Sequence, residues 1–315
     1  MSSFDAINYA LRPNKAVERK IVFSGMQKLT RILDLSAYRY IGLGSLWFVD
    51  FLMAHKILGI NEMTSIEQNE IGHKRSEFNR PLACIEVLKG ESTLTIPTLD
   101  LDKKPAIVWF DYDTSIGGPV LEDIGMLAPR CAANSILIAT INAKRDDLPA
   151  KDESGREIDH EAGLRMVAGD LVPTPLAPKR LQSPQYPKLL CEILSNRFHS
   201  AAVNSGRTES FVKLFDLAYS DGTPMVTVGG VLASADTADA IRTLVATPEF
   251  EGVVEKTIAV PPLTMKEKMA LDRLMPSVKS PTDAQMNKTG FTLKREQIDT
   301  YHRYYRHYPL FGELL

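Results

Sequence analysis

The stretch Tyr38–Glu67, YRYIGLGSLWFVDFLMAHKILGINEMTSIE, decides the fold. It reads as a strand, a glycine turn, an amphipathic helix, a second strand and then a carboxylate. That order builds a ligand crevice in a doubly wound α/β sheet. Gly42 and Gly44 end the first strand. Phe48, Val49, Phe51, Leu52, Ile57 and Leu58 give the helix its apolar positions, and Gly59 stops it. Met63–Ile66 supply the next strand. Glu67 then stands roughly 20 residues past the glycines, where a ribose-binding acid belongs. A carboxylate there accepts hydrogen bonds from both ribose hydroxyls, each worth roughly 1.5–3 kcal/mol.

Upstream, Pro13 opens a predicted helix over residues 13–35, with Val22, Met26, Leu29 and Leu33 at helical spacing. Arg12, Lys15, Arg19, Lys20, Lys28 and Arg31 make much of its remaining surface basic. Lys15 and Arg19 share a face at i, i+4. Such a run reads first as a solvated face and second as a phosphate holder. Downstream, a helix is expected over Asn69–Phe78 and a short strand over Cys84–Leu88. Ala106–Phe110 (AIVWF) is a continuous apolar run, the pattern of a parallel strand buried on both faces, and it ends in Asp111-Tyr112-Asp113. Residues 119–129 read as a helix and Ser135–Ile141 as another buried strand. Residues 143–187 break the rhythm: the segment is charged early and then carries Pro173, Pro175, Pro178, Pro184 and Pro187. A stretch this long reads as a mobile cover or a partner-binding segment, helical in part around His160–Val167. Lys188–Val203 is helical again.

Phe211–Tyr219 and Met225–Leu232 flank Ser220-Asp221-Gly222-Thr223-Pro224. Asp-Gly between two apolar runs signals an antiparallel hairpin. From Asp236 the chain turns helical. Thr264-Met265-Lys266-Glu267 has the form of a capping box, opening a helix through Leu274 ahead of Pro276, and residues 294–305 form the last helix. The sequence thus divides into an N-terminal helical segment (1–36), an α/β domain (37–234) and a C-terminal helical extension (235–315). The predicted fold class is α/β: a mostly parallel Rossmann-like sheet with a C-terminal antiparallel hairpin.

The chain has 315 residues, 44% hydrophobic and 24% charged, with net charge −2. Those values suit a soluble protein and give no global pull toward nucleic acid. No run of 18 apolar residues is present, so no membrane span is expected. MSSFDAINYALRPNK lacks a signal core, which points to the cytoplasm. Cys84, Cys131 and Cys191 are scattered and read as reduced thiols. The six histidines show no metal-ligand spacing, so no metal site is expected.

On the glycine turn, the acid after the second strand, the acidic motif after the fourth and the terminal hairpin, residues 37–234 resemble the class I S-adenosylmethionine-dependent methyltransferases. The wording of YRYIGLGSLWFVDF, TSIEQNE, FNRP and WFDYD is similar to a group of bacterial proteins described as O-methyltransferases, some of them thought to belong to multi-gene antiviral loci. The resemblance implies S-adenosylmethionine as cofactor. Gly42, Gly44, Glu67 and Tyr112 would bind it, Asp111 and Asp113 would be catalytic, and the acceptor is unidentified. The family's glycine motif carries an acid two residues before its first glycine and a third glycine two residues after its second. Here those positions are Tyr40 and Leu46. Asp111-Tyr112-Asp113 also lacks the prolines of the amino-methyltransferase motif, so adenine methylation of DNA is not supported.

Each site residue has a bland alternative. Glu67 can be a solvated strand end. Asp111 and Asp113 can cap the next segment, and Tyr112 can pack beneath a loop. The tail YHRYYRHYPLFGELL interleaves aromatic and basic residues, as single-strand binders do, but Ile298, Tyr301 and Tyr305 also suit docking on one helix face. Three functions follow: a methyltransferase acting on an oxygen or nitrogen, a non-catalytic methyltransferase-like subunit of a multi-protein assembly, and a nucleic-acid-binding module, the last not favoured. A protein partner or homo-oligomer fits any of them.

Overall fold

The structure, a computed structural model, describes residues 12–44, 46–206, 208–253 and 256–310. Seven strands form one sheet in the order β3-β2-β1-β4-β5-β7-β6. They are β1 (Arg39–Leu43), β2 (Met63–Glu67), β3 (Ile85–Lys89), β4 (Ala106–Ser115), β5 (Ile136–Asn142), β6 (Ser210–Ser220) and β7 (Pro224–Ala233). β1 to β5 are parallel, and β7 runs antiparallel to both β5 and β6. This is the predicted Rossmann-like sheet with its terminal hairpin. Strand order reverses between β1 and β4, so a crevice opens at their carboxyl ends.

Among the described residues the helices are α1 (Pro13–Leu29), α2 (Val49–Leu58), α3 (Glu70–Asn79), α4 (Ser92–Thr95), α5 (Gly118–Arg130), α6 (His160–Ala168), α7 (Gln185–Asn204), α8 (Ala235–Val245), α9 (Met265–Asp272), α10 (Asp283–Asn287) and α11 (Arg295–Tyr304). They cover both sheet faces. On one face, Val17, Phe23 and Met26 of α1 and Phe51 of α2 pack with Tyr40 and Trp109. On the other, Ile124 of α5, Leu164 of α6 and Phe198 of α7 pack with Ile41, Val108 and Phe110. Neighbouring strand residues point to opposite faces, which is why Trp109 and Phe110 fall into different cores.

Several elements differ from their sequence reading. β4 runs to Ser115, so Asp111 and Asp113 lie within the strand. Its pairing with β5 becomes irregular between Asp111 and Ser115, an irregularity of the kind that re-aims side chains beside ligand sites. Residues 143–187 do not form a structureless cover. They carry α6, where a helix was expected around His160–Val167, and short 3₁₀ turns, and Leu148, Leu164, Val172 and Leu176 are buried in the α7-side core. Helix α1 stops at Leu29 and is integral to the main core. Its first turn has no cap of its own. The hairpin tip supplies one: Asp221 accepts from Asn14 N at 3.1 Å and from Lys15 N at 2.8 Å.

The C-terminal helices hold a small core of Leu271, Met286, Ile298 and Tyr301. Thr264 and Glu267 make the reciprocal capping box at α9. Tyr301 donates to Asp272 at 2.6 Å. Tyr304, rather than Tyr305, joins the main core. The last residues of the aromatic tail, 311–315, lie outside the described residues. Among the described residues no helix is long and apolar enough to cross a membrane, and no group of three His, Cys, Asp or Glu is placed to hold a metal.

Candidate functional site

The site grows from the ends of β1, β2 and β4. Gly42 lies under rings: a Cβ there would stand 3.2 Å from Phe51 and 3.3 Å from Tyr40. Its missing side chain therefore lets α2 settle onto β1. Gly44 has a different reason to be glycine. A Cβ there would stand 2.9 Å from both Cβ and Cδ of Glu67, closer than side chains tolerate. Gly72, in the first turn of α3, closes the other side, where a Cβ would lie 2.9 Å from Glu67 Cδ. The Glu67 side chain thus occupies a slot between two glycines, one from the turn after β1 and one from the helix after β2.

Within that slot Glu67 Oε1 accepts from Asn69 N at 2.7 Å, and the Asn69 side chain caps α3 through Ile71 N and Gly72 N. Burial raises the Glu67 pKa above the ordinary carboxylate value; the Asn69 N–H bond and His73 oppose this, and Asp113 adds to it. Glu67 closes β2 and Asp113 lies near the end of β4, both at the carboxyl edge of the sheet. Asp113 is exposed, and among the described residues it holds no ion pair.

Asp111 is tied from across the sheet face. Lys15 Nζ lies 2.7 Å from Asp111 Oδ2 and 3.5 Å from Glu18 Oε2. Lys15 also sits over the rings of Trp109 (5.2 Å) and Tyr219 (5.4 Å). Glu18 Oε1 accepts from Thr227 at 2.6 Å, and burial raises its pKa despite Lys15. The basic face of α1 is therefore turned inward at Lys15 and Arg19, both buried. The sequence reading of a solvated face holds for neither. The signal that reveals this is Asp111 on β4, far away in sequence.

Tyr40, at the position where the resembled family carries an acid, is fully buried and donates to Asp50 Oδ2 at 2.6 Å. Asp50 lies in the first turn of α2, so a carboxylate still stands close to the turn, supplied by the helix rather than the strand. The helix is entered through Phe48, a buried aromatic with φ 47°. That left-handed conformation is costly for a bulky side chain, about 1–3 kcal/mol, and tends to cluster at ligand sites.

Tyr112 points to the opposite face from Asp111. Its hydroxyl donates to Asp123 Oδ2 at 2.6 Å, and Ser92 and Thr93 donate to the same carboxylate. This fully bonded cluster fastens α4 and α5 to β4. The structure thus brings Gly44, Glu67, Asp111 and Asp113 to one end of one face, with Gly42 beneath the rings and Tyr112 behind the sheet. Lys15, Glu18, Arg19 and Asp50 join them as residues that sequence reasoning did not place there.

A protein-family model described as "Putative O-methyltransferase" matches residues 7–315. No curated protein matches the chain. Among solved structures, it is similar to Trm1 from Pyrococcus horikoshii in complex with S-adenosyl-L-methionine, with 13% identity and a TM-score of 0.45, over 73% of this chain and 58% of that one. It is also similar to TomG of Streptomyces achromogenes, an O-methyltransferase of tomaymycin synthesis in complex with SAM, with 14% identity and a TM-score of 0.36, over 73% and 93% of the two chains. The match therefore spans little more than half the length of Trm1.

Proposed function

The chain belongs to the family described as "Putative O-methyltransferase", and from that membership we propose that it moves a methyl group from S-adenosylmethionine to an acceptor oxygen or nitrogen. The observation that carries this reading is the Glu67 slot between Gly44 and Gly72, at the carboxyl edge of the sheet where β4 carries Asp113. A bare turn lets a ligand approach the backbone, and the carboxylate beside it suits a pair of ribose hydroxyls. S-adenosylmethionine, when bound, supplies an electrophilic methyl group. Glu67 accepts the ribose hydrogen bonds and fixes where that methyl lies. Asp113, exposed at the irregular end of β4, takes the proton from the acceptor. Asp111, held by Lys15, keeps a fixed negative charge at the crevice. Most of the rate would come from holding acceptor and donor in line.

A second reading is a non-catalytic subunit, in an antiviral or other multi-protein assembly. It draws on Tyr40, a buried tyrosine at the position of the family's acid. Calorimetry separates the two. S-adenosylmethionine should bind saturably with one site per chain, whereas NAD and ATP should not compete. Absence of binding by S-adenosylmethionine would remove the methyltransferase reading and leave the second.

A further inference from the structure

Lys15 is a buried ammonium whose hydrogen-bonding needs the fold does not meet. Its side chain is 3% exposed, with Asp111 Oδ2 at 2.7 Å and Glu18 Oε2 at 3.5 Å. These carboxylates answer its charge. Yet among the described residues neither Lys15 Nζ nor Glu18 Oε2 has a hydrogen-bond partner of acceptable geometry. An ammonium carries three N–H donors, and leaving buried donors unmet is costly. What stands over the nitrogen instead is aromatic: the ring of Trp109 at 5.2 Å and that of Tyr219 at 5.4 Å, both buried. Buried rings and carboxylates about one nitrogen are the setting that suits a methylated ammonium, which keeps its charge and exchanges N–H donors for methyl groups.

Glu18 also offers a place for a proton. Trp109 Nε1 donates to Thr140 at 3.0 Å, the Thr140 and Thr227 hydroxyls stand 2.8 Å apart, and Thr227 donates to Glu18 Oε1 at 2.6 Å. An indole N–H can only donate, and the one hydrogen of Thr227 goes to Glu18. The run therefore points one way, toward Oε1, and Oε2, the oxygen facing Lys15, is left to take a proton. Burial raises the Glu18 pKa and so favours the protonated form. Asp111, 33% exposed, brings the ion pair to the border of the crevice at the end of β4. We propose that Lys15 is a methyl acceptor within the protein itself, modified at Nζ from S-adenosylmethionine held in the chain's own crevice. The ammonium gives one proton to Glu18 Oε2. The lone pair of the freed amine forms the new N–C bond to the donor's methyl carbon. The S–C bond breaks with its electron pair left on sulfur, and S-adenosylhomocysteine departs. The methylammonium keeps its positive charge, its pairing with Asp111 and its place against Trp109 and Tyr219. The inference rests on the methyl-donor reading of the crevice.

The test incubates the wild-type chain with S-adenosylmethionine carrying carbon-13 in its methyl group, beside calorimetry of the same compound. Peptide mass spectrometry should place the label on Lys15, and Lys15→Arg should lose it. Carbon-13 NMR gives a readout apart from turnover. The methyl resonance should be shifted upfield by the Trp109 and Tyr219 rings and should return to the position of free methyl-lysine on unfolding in urea. Glu18→Gln keeps an oxygen for Thr227 but cannot take the proton, so it should label at least about tenfold more slowly. A wild-type chain that binds S-adenosylmethionine and takes no label at Lys15 would overturn the inference and leave the donor reading standing. A chain that binds none removes both. Label at Lys15 with an unshifted resonance would overturn the aromatic setting, and an unchanged rate in Glu18→Gln would overturn Glu18 as the proton's destination.

Discussion

The ammonium of Lys15 lies 2.7 Å from Oδ2 of Asp111, so the first helix reaches over the sheet face to the end of its fourth strand. The two partners are not equivalent. The Lys15 side chain is 3% exposed and that of Asp111 33%. Asp111→Asn leaves a buried cation, with Glu18 at 3.5 Å held toward its neutral form by burial. That loss should cost about 3 kcal/mol or more. Lys15→Met leaves a carboxylate that water can reach, and should cost clearly less. Urea unfolding of both variants checks the order, and equal losses would show that the pair carries no such asymmetry.

The Glu67 slot gives a prediction in which stability and binding part company. Gly72→Ala adds a better helix former to α3, by about 1 kcal/mol. Its Cβ would also stand 2.9 Å from Glu67 Cδ, pushing the carboxylate out of place. The variant should melt no lower than wild type and bind S-adenosylhomocysteine more weakly. Gly44→Ala should weaken binding from the other side. Undiminished affinity in Gly72→Ala would mean that the ligand does not depend on this placement of Glu67.

Glu18 sets a pH dependence. Burial, the largest cause, raises its pKa from the ordinary 4.5, with Asp111 adding and Lys15, Thr227 and Arg19 opposing. The folded state therefore holds a proton more tightly than the unfolded chain does. Stability from this group must fall as pH rises from 4.5 through the raised value. Glu18→Gln removes the ionisation. Its melting temperature relative to wild type should be higher at pH 8 than at pH 4, as about one titrating group allows. A constant difference across pH would contradict the burial argument.

The C-terminal helices should contribute to the main domain's stability. Ile298 and Tyr301 fill the small core, and Tyr304 enters the large one. Each buried side chain contributes on the order of 1.5–3 kcal/mol. A chain ending at Lys294 should melt lower by scanning calorimetry. An unchanged melting temperature would mean that the extension folds independently of the sheet.

Much of this architecture is legible in the residues. The strand–turn–helix–strand of 38–67, the Asp221-Gly222 hairpin and the Thr264–Glu267 capping box each rest on local chemistry, and each stands where it was expected. The placement of Glu67 beside Gly44 also follows from its own stretch. What escaped depends on distant pairing. Lys15 and Arg19 look solvated on a helix wheel because the carboxylates that act on them, Asp111 and Asp50, lie on β4 and α2. Tyr112 reads as a pocket residue until Asp123, eleven residues on, claims its hydroxyl. Outside the helix expected around His160–Val167, residues 143–187 look unstructured because their buried leucines follow no single period.

The most direct test of the account is a calorimetric titration of S-adenosylhomocysteine into wild type and Glu67→Ala at neutral pH. The account predicts one saturable site in wild type and a loss of about 1.5–3 kcal/mol in the variant, the worth of a charged hydrogen bond, with both proteins folded. No binding by wild type, or the same dissociation constant in both proteins, would contradict it.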